Sequence, residues 1–365
     1  MCDLSGSHCR RTRAALKEAA QGTYCPACTP AGVPLHLSSA RVGSLAAQAA
    51  ILEVSAGPKP GLVCRNSNGA HHDMDYNTFV RSALALKGYF SQTHAEGLAT
   101  SGLAPDVVFS RLRALGIQAE QAMFAATGGV NTHKGLIFSL GLFCAALGRL
   151  SRDRAGFYAL PQPTAWQNVI HVCRTAAALA SGISKKDLSA LPRGPMKKNT
   201  GMEEEYHKKT QLSRPKSMRP LLEKKLQRAL SPGEVIYVMY GARGIRGEAE
   251  QGFPGVWFAW HSLWRHGIDA EMNRAMVHTL LELTARVEDS SILWRGGHRG
   301  LALARSYATA VLARGGLDTP AGNHMLERMG EAFVRHSLSP GGCADILAIG
   351  TFLHLLRRQP ACRAK

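Results

Sequence analysis

The chain of 365 residues has few acidic residues, few aromatic residues and almost none of the alternating β-branched runs that form half-buried strands. Its longest apolar run, residues 136–147, is shorter than the roughly 20 residues that a membrane-spanning helix needs. Residues 1–22 have no uninterrupted apolar stretch behind their basic residues, so no secretory signal is expected. Nine cysteines scattered along the chain do not form a disulfide framework and are typical of a reducing cytoplasm. These absences favour a cytoplasmic protein with no membrane partner.

Positive charge dominates the composition. The chain has 44 Lys and Arg residues against 26 Asp and Glu residues, a formal net charge of +18. Such a balance suits polyanionic partners. Nucleic acid is not the expected one, because the sequence has no paired Cys/His finger, no aromatic sheet motif and no basic region linked to heptads. A small substrate with several phosphates explains part of the charge.

Apolar residues recur at helical spacing in four segments. These are residues 166–176, 272–283, 301–312 and 346–356. Gly182 follows the first segment and Gly315-Gly316 the third, as helix stops do. We therefore predict an all-α, multi-helix globular domain over residues 41–358, with its polar motifs at helix starts and in interhelical loops.

Three regions fall outside this helical pattern. Residues 1–40 are polar, and residues 359–365 form a short tail. Cys25-Pro-Ala-Cys28 has the spacing of metal ligands, with Cys2, His8 or Cys9 to complete a zinc site. The second pair is loosely spaced, so an extension without metal is favoured.

Residues 184–232 are rich in Lys, Arg and Pro, which predicts a solvated basic insertion with a short helix near residues 221–230. A contact of this insertion with an acidic partner or nucleic acid is the alternative.

One motif predicts an anion site. Thr127 to Gly135 is polar, contains Gly128-Gly129 and runs straight into an apolar stretch. A helix that opens there aims free N–H groups and the Lys134 ammonium at one small volume, which suits a phosphate chain. The usual nucleotide loop has Ser or Thr where this chain has Gly135. The alternative is a turn that caps a buried helix.

Further polar motifs accompany this one along the chain. They are Pro58 to Val63, Asn68 to Asp75, Tyr240 to Pro254, Glu288-Asp289 with Arg295-Gly296-Gly297, and Ser339 to Asp345. In this order the chain resembles the triphosphoribosyl-dephospho-CoA synthase family, from about residue 45 to 356 with one interruption. That family makes the prosthetic-group precursor of citrate lyase, or of malonate decarboxylase in a sister branch. Asp73-Met74-Asp75 favours the citrate lyase branch.

The resemblance implies the reaction and its partners. ATP serves as a ribosyl donor: the 2′-hydroxyl of 3′-dephospho-CoA attacks C1 of the ATP ribose, adenine leaves and the triphosphate is retained. ATP and 3′-dephospho-CoA are therefore the expected partners, with Mg²⁺ and with no tightly bound organic cofactor. A transient contact with the transferase that loads the acyl carrier subunit of citrate lyase is a further expectation.

The reaction needs carboxyl groups at the sugar. An oxocarbenium-like state is stabilised by a nearby carboxylate, and the leaving base must be protonated. Residues 240–253 crowd glycines with charges, which predicts a binding loop. Glu248 is our first choice for the catalytic carboxylate, with Glu250 behind it and Asp289 as a third candidate. The alternative for Glu248 is an ion pair with Arg246 that orders the loop.

The remaining candidates bind phosphates, substrate or metal. The substrate-binding set is Lys59, Asn131, His133, Lys134, Arg243, Arg246, Arg295, Ser339 and Asp345. Asp73 and Asp75 are candidate Mg²⁺ ligands, since Mg²⁺ prefers carboxylates together with substrate phosphates. The alternative is that Asp73 caps the next helix.

The chain departs from the family pattern at Ser290-Ser291, where Thr-Asn is usual, at Cys343, where Ser is usual, and at Cys64, which replaces an acid. Two other functions remain open. A metal-dependent phosphohydrolase could be built on His71-His72-Asp73, and a non-catalytic protein could hold polyanions. Carboxylates inside the basic motifs argue against the second, because a polyanion surface has no use for them.

Overall fold

The computed structural model describes residues 37–153, 165–192 and 215–358. All of them belong to one compact unit, Pro34–Cys362. The described residues form α-helices and one 3₁₀ turn and contain no strand, which confirms the all-α prediction. The candidate zinc ligands near Cys25 and Cys28 lie outside the described residues, as do residues 359–365.

Helix starts and ends follow the local sequence. Ser38, Asp75, Ser231, Asp289 and Thr319 each accept a backbone N–H at a helix start. The helices are α1 (Ser39–Ser55), α2 (Tyr76–Ala99), α3 (Pro105–Thr127), α4 (Lys134–Asp153), α5 (Ala165–Leu179), α6 (Ile183–Leu188), α7 (Pro215–Leu226), α8 (Pro232–Tyr240), α9 (Gly244–Glu250), α10 (Pro254–Arg265), α11 (Met272–Arg286), α12 (Ser290–Ala313), α13 (Pro320–Arg335) and α14 (Gly341–Arg357).

The centre of the fold is formed by α4 and α14. Both pack against α1 and against each other, and α2 packs against α1, α3 and α4. Among the described helices, α4 alone is long and apolar enough to cross a membrane, but 67% of its apolar window is buried inside the protein. It therefore has the burial of a core helix. Helix α4 begins at Lys134 and α14 begins at Gly341, and each of these residues belongs to one of the polar motifs. The two motifs are therefore held at the ends of rigid helices.

The described parts of the basic insertion are folded, contrary to our prediction of a solvated loop. Helices α6 and α7 place Leu188, Met218 and Leu222 in a buried apolar cluster with Val235 and Met239 of α8. The predicted short helix exists, but it occupies Pro215–Leu226. The prediction was wrong because a few apolar residues at helical spacing are enough to dock an amphipathic helix, whatever the charge around them.

Two other segments differ from the predicted loops. Residues 240–253, predicted to be a binding loop, contain the short helix α9, whose Gly247 and Ala249 are buried. The glycines there allow close packing of a helix as well as a flexible turn. Arg295-Gly296-Gly297 lies within α12, and Gly297 interrupts that helix with φ 61° and ψ −161°, a conformation that a side chain would strain.

Candidate active site

The polar motifs converge on one open cleft of about 1280 Å³. Each motif named in the sequence analysis contributes at least one residue to its lining. The starts of α4, α12 and α14 border it, so the positive ends of three helix dipoles lie at the cleft. Asn131 helps to order the first of these starts, because its Oδ1 accepts the backbone N–H of Lys134 at 3.3 Å.

Asp345 lies against the first turn of α4. A Cβ on Gly135 would stand 2.1 Å from the Asp345 Oδ2, so only glycine fits beneath this carboxyl. Burial, with Glu53 and Asp289 nearby, raises the pKa of Asp345 well above its usual range. Asp345 lies just after the start of α14 as well as against the start of α4, so two positive helix ends are near its carboxyl. The raised pKa favours the protonated carboxyl, which can both donate and accept a hydrogen bond.

Glu248 is the carboxyl in the cleft with the clearest acid character. Its Oε1 accepts the backbone N–H of Gly255 at 2.5 Å, at the start of α10. Burial raises the pKa of Glu248 to about 7, against the lowering effect of the N–H groups of Gly255 and Val256. The alternative ion pair with Arg246 is not formed, because Arg246 binds another carboxylate. Glu248 can therefore hold a proton near neutral pH on the wall of the cleft.

The other two candidate catalytic carboxylates have positioning roles. Glu250 does not line the cleft, and it accepts the backbone N–H of Ser184 at 2.9 Å and Arg243 Nη1 at 2.7 Å. Asp289, only 1% exposed, accepts the N–H of Ser291 at 2.8 Å and that of Cys343 at 2.7 Å. It thereby joins the start of α12 to the start of α14. Glu250 therefore has no access to the cleft, whereas Asp289 borders it with its carboxylate occupied by these N–H groups.

Two lysines of the cleft, Lys59 and Lys134, are already paired with carboxylates. Lys59 is buried, and its Nζ donates to the carboxylate of Glu53 and, at 2.6 Å, to the Glu53 backbone oxygen. Lys134 Nζ lies 2.6 Å from Glu120 Oε2. Lys134 is half exposed, with 51% of its side chain accessible, so an incoming phosphate can compete for it. The buried Lys59 is instead held in place by its partner.

A second set of cations in the cleft shares one carboxylate. Asp187 of α6 lies 3.1 Å from Arg113 Nη1 of α3 and 3.1 Å from Arg246 Nε of α9. The position between the two guanidinium groups is therefore already occupied by an anion. Arg243, which also borders the cleft, is the partner of Glu250.

His71, Ser339 and Arg295 form a chain of hydrogen bonds. Arg295 Nη2 lies 3.2 Å from His71 Nδ1, and His71 Nε2 lies 2.9 Å from Ser339 Oγ. Because a guanidinium only donates, Nδ1 accepts and Nε2–H donates to Ser339. Burial and then the Arg295 charge lower the pKa of His71 to about 4, so the imidazole is neutral. His71 thus fixes the orientation of both neighbours.

Asp73 and Asp75 do not form the predicted pair of metal ligands. Asp75 caps α2, accepts the Thr78 N–H at 2.7 Å and does not line the cleft. The hydrogen bonds from Thr78 also lower its pKa. Asp73, the predicted alternative cap, instead borders the cleft with 66% of its side chain exposed, 3.9 Å from His71 Nδ1. Among the described residues no group of three potential ligands could hold a metal ion.

His133 is buried near the end of the Thr127–Gly135 motif. Its Nδ1 lies 2.7 Å from Ser82 Oγ, and its ring packs edge-on against Phe79. Burial, and then the Lys59 charge, lower the pKa of His133 to about 4. It is therefore a neutral, buried group whose contacts order the anion-site loop.

Sequence reasoning missed several charged residues of the cleft. Glu53 had a usable signal, because it is a lone carboxylate in a largely apolar helix shortly before Lys59. Asp187, Arg113 and Glu120 had none, since each looks like an ordinary surface charge. With them included, the described lining contains seven Lys or Arg residues and eight Asp or Glu residues. The net charge of the chain is therefore not concentrated in the cleft.

These features define a group-transfer enzyme for phosphate-bearing substrates, with an acidic group and neutralised cations around helix N-termini. The model of the ATP:dephospho-CoA triphosphoribosyl transferase family matches residues 39–363 of the chain. The probable 2-(5''-triphosphoribosyl)-3'-dephosphocoenzyme-A synthase of Citrobacter koseri is 35% identical over 313 residues, which are 85% of this chain and 88% of that relative. No solved structure matches the chain.

The chain therefore belongs to the ATP:dephospho-CoA triphosphoribosyl transferase family, as its motifs predicted, and is a transferase. ATP is its donor substrate and dephospho-CoA its acceptor.

Proposed function

We propose that the cleft transfers the 5-triphosphoribosyl group of ATP to the 2′-hydroxyl of 3′-dephospho-CoA and releases adenine. Over the whole reaction the C1–N bond of the ATP ribose breaks, a C1–O bond to the acceptor forms, and the hydroxyl proton ends on adenine. The observation that carries this proposal is the protonatable carboxyl of Glu248, with its pKa near 7, on the wall of a cleft lined by phosphate-binding groups.

Glu248 acts as the general acid in this proposal. Adenine is a poor leaving group as an anion, so a proton must reach it as the C1–N bond breaks. A group with a pKa near the working pH supplies that proton most effectively. Asp345, set beneath the start of α4 with its pKa raised by burial, hydrogen-bonds a ribose hydroxyl as the sugar becomes positively charged. Asp289 holds α12 and α14 in register and acts through them.

The phosphates are bound by groups that exchange partners. Lys134 and Arg246 leave Glu120 and Asp187 for the triphosphate, while Arg295 offers the face that its bond to His71 leaves open. Asn131 and His133 shape the turn, Arg243 anchors α9, Ser339 holds His71, and the buried Lys59 supplies a fixed charge. When Lys134 and Arg246 exchange a carboxylate for a phosphate, each still has a negatively charged hydrogen-bond acceptor.

Mg²⁺ completes the charge balance of this site. A triphosphate carries four negative charges into a cleft whose lining already has as many acids as bases, so a divalent cation is needed to offset them. Asp73, exposed and on the lining, fits as its single protein ligand, because Mg²⁺ is usually held by one or two carboxylates together with substrate phosphates and water. Asp75 is committed to its cap. The ion supplies charge neutralisation for the bound triphosphate.

The product is proposed to be the prosthetic-group precursor for the acyl carrier subunit of citrate lyase, passed on through a transient contact with the loading transferase. This part of the proposal is supported by the resemblance at Asp73-Met74-Asp75. A cytoplasmic location is supported by the described cysteines, all of which are free and buried: Cys64, Cys144, Cys173 and Cys343.

Product analysis tests the proposal. Purified protein is incubated with ATP, Mg²⁺ and dephospho-CoA, and the products are separated by chromatography and weighed by mass spectrometry. Free adenine together with a triphosphoribosyl adduct of dephospho-CoA is expected. ADP and phosphate would instead indicate the phosphohydrolase, and binding without turnover would indicate the polyanion-binding protein.

A further inference from the structure

One face of α3 borders the cleft and is largely apolar. Phe109, Ile117 and Phe124 of this face line the cleft at spacings that place them on one side of the helix. Arg113 and Glu120 lie between them on the same face. We call the three apolar side chains the α3 stripe. No step of the proposed reaction uses it.

Ile117 is the unusual member of the α3 stripe. Its side chain is 56% exposed, and of the seven large apolar side chains that the described residues expose, only Ile117 borders the cleft. A branched apolar side chain held in water gains free energy when a ligand covers it. Because Ile117 lines the substrate cleft, the group that covers it is expected to come from a substrate.

The α3 stripe is electrically neutral. Arg113 is paired with Asp187 at 3.1 Å, and Glu120 with Lys134 at 2.6 Å. A triphosphate gains little along such a surface, because Arg113, which lies between the apolar residues, is already paired with Asp187. An uncharged chain with apolar stretches gains most. The surface therefore selects for a substrate part without charge.

Only one of the two substrates contains a long uncharged chain with apolar stretches. The uncharged part of ATP is its compact adenine ring, whereas dephospho-CoA extends its adenosine diphosphate by a pantetheine arm, a long uncharged chain with a dimethyl group and two amides. We infer that the α3 stripe is the binding site for the pantetheine arm of the acceptor. The inference rests on the proposed function and adds to it where the acceptor lies.

The dimensions of the cleft agree with this assignment. Its volume of about 1280 Å³ exceeds the roughly 300–1000 Å³ of a site for one small ligand, so it has room for two substrates. The α3 backbone from Phe109 to Phe124 spans about 22 Å at 1.5 Å per residue, long enough to follow an extended arm. The glutamate-paired Lys134 stands next to one end of this span, beside the predicted phosphate site.

Steady-state kinetics of Ile117→Ser test the inference. Leu84→Ser is the matched control, because Leu84 is 57% exposed on α2 and does not line the cleft. Adenine release is measured with ATP varied at saturating dephospho-CoA and then the reverse. We expect Ile117→Ser to raise the KM for dephospho-CoA about tenfold, corresponding to about 1.4 kcal/mol, with the KM for ATP and the kcat within twofold of the unaltered protein. Leu84→Ser should change none of the three.

Two results would overturn the inference. An unchanged KM for dephospho-CoA in Ile117→Ser would show that the arm does not contact the α3 stripe. A rise in the KM for ATP alone would assign the stripe to the donor. Circular dichroism and thermal unfolding confirm that both variants are folded. If the unaltered protein itself releases no adenine, the proposed function fails, and that outcome is separate from either of these.

Discussion

Replacing Glu248 by Gln should give a protein that is inactive but more stable above neutral pH. In the unfolded chain this carboxyl ionises near its ordinary pKa of 4.5, whereas the folded protein keeps the proton up to about 7. The unfolded state therefore binds fewer protons across this window, and the free energy of unfolding falls as the pH rises from about 4.5 to about 7. A glutamine has the same shape and can still accept the Gly255 N–H, but it does not titrate.

The size of the effect follows from the pKa shift. At about 1.4 kcal/mol for each pH unit, a shift from 4.5 to about 7 corresponds to about 3 kcal/mol. Because the carboxyl borders an open cleft, we expect about 2 kcal/mol after solvent screening. Above pH 7 Glu248→Gln should therefore exceed the unaltered protein by about this amount, and at pH 4 the two should be equal.

Urea unfolding at pH 4 and pH 8, together with adenine release, measures both parts of this prediction. The kcat of Glu248→Gln should fall at least about a hundredfold, as expected for loss of a general acid. The rate of the unaltered protein should fall as the pH rises through about 7, since the acid form is lost. Glu331→Gln, an exposed change on α13, is the control and should alter neither property. A Glu248→Gln variant that keeps its activity, or loses equal stability at both pH values, would refute the reasoning.

Three further changes test the phosphate and metal groups. Lys134→Ala should weaken ATP binding in equilibrium dialysis without unfolding the protein, because one exposed ion pair contributes no more than about 1 kcal/mol; an unchanged affinity would remove Lys134 from the phosphate site. Asp73→Asn should raise the Mg²⁺ concentration for half-maximal adenine release and recover with excess Mg²⁺, and a variant whose rate does not respond to Mg²⁺ would show that Asp73 is not a ligand. Asp187→Asn should lower the KM for ATP with little change in kcat, because an entering triphosphate no longer has to displace this carboxylate from Arg246, while Asp106→Asn on the exposed start of α3 should change neither; equal effects of the two variants would contradict the role of Asp187.

The helical fold and the meeting of the motifs were predictable from the sequence for physical reasons. Apolar spacing determines which face of a helix is buried, so the segments at 272–283 and 346–356 appear as α11 and α14. The start of a helix has several N–H groups without an intrahelical partner. Residues that end one helix and begin the next show in the sequence where such a start lies. The Gly128-Gly129 turn was recognisable for this reason before any coordinates were known.

The pairing of charges was not predictable, because it depends on contacts between distant segments. Asp187 lies 74 residues from Arg113 along the chain and yet binds it. The composition of residues 184–232 indicated a solvated insertion, and only the structure shows that Leu188 and Leu222, in its described parts, pack into a buried cluster. The roles of Asp75 and Asp289 were likewise hidden, since a capping carboxylate and a catalytic one have the same residue type and differ only in which N–H groups they accept.

The paired cations have a consequence for a basic protein in a cell full of nucleic acid. A cleft of bare lysines and arginines would be filled by any polyanion at hand. Here a phosphate that binds Lys134 or Arg246 must displace a resident carboxylate. Binding at these groups is therefore an exchange of counterions, and its dependence on salt is weaker than for an open basic groove. Only a ligand that contacts several of these cations at once regains the free energy that is lost when the ion pairs break. The internal acids thereby keep the cleft free for its substrate, although the chain around it is strongly positive.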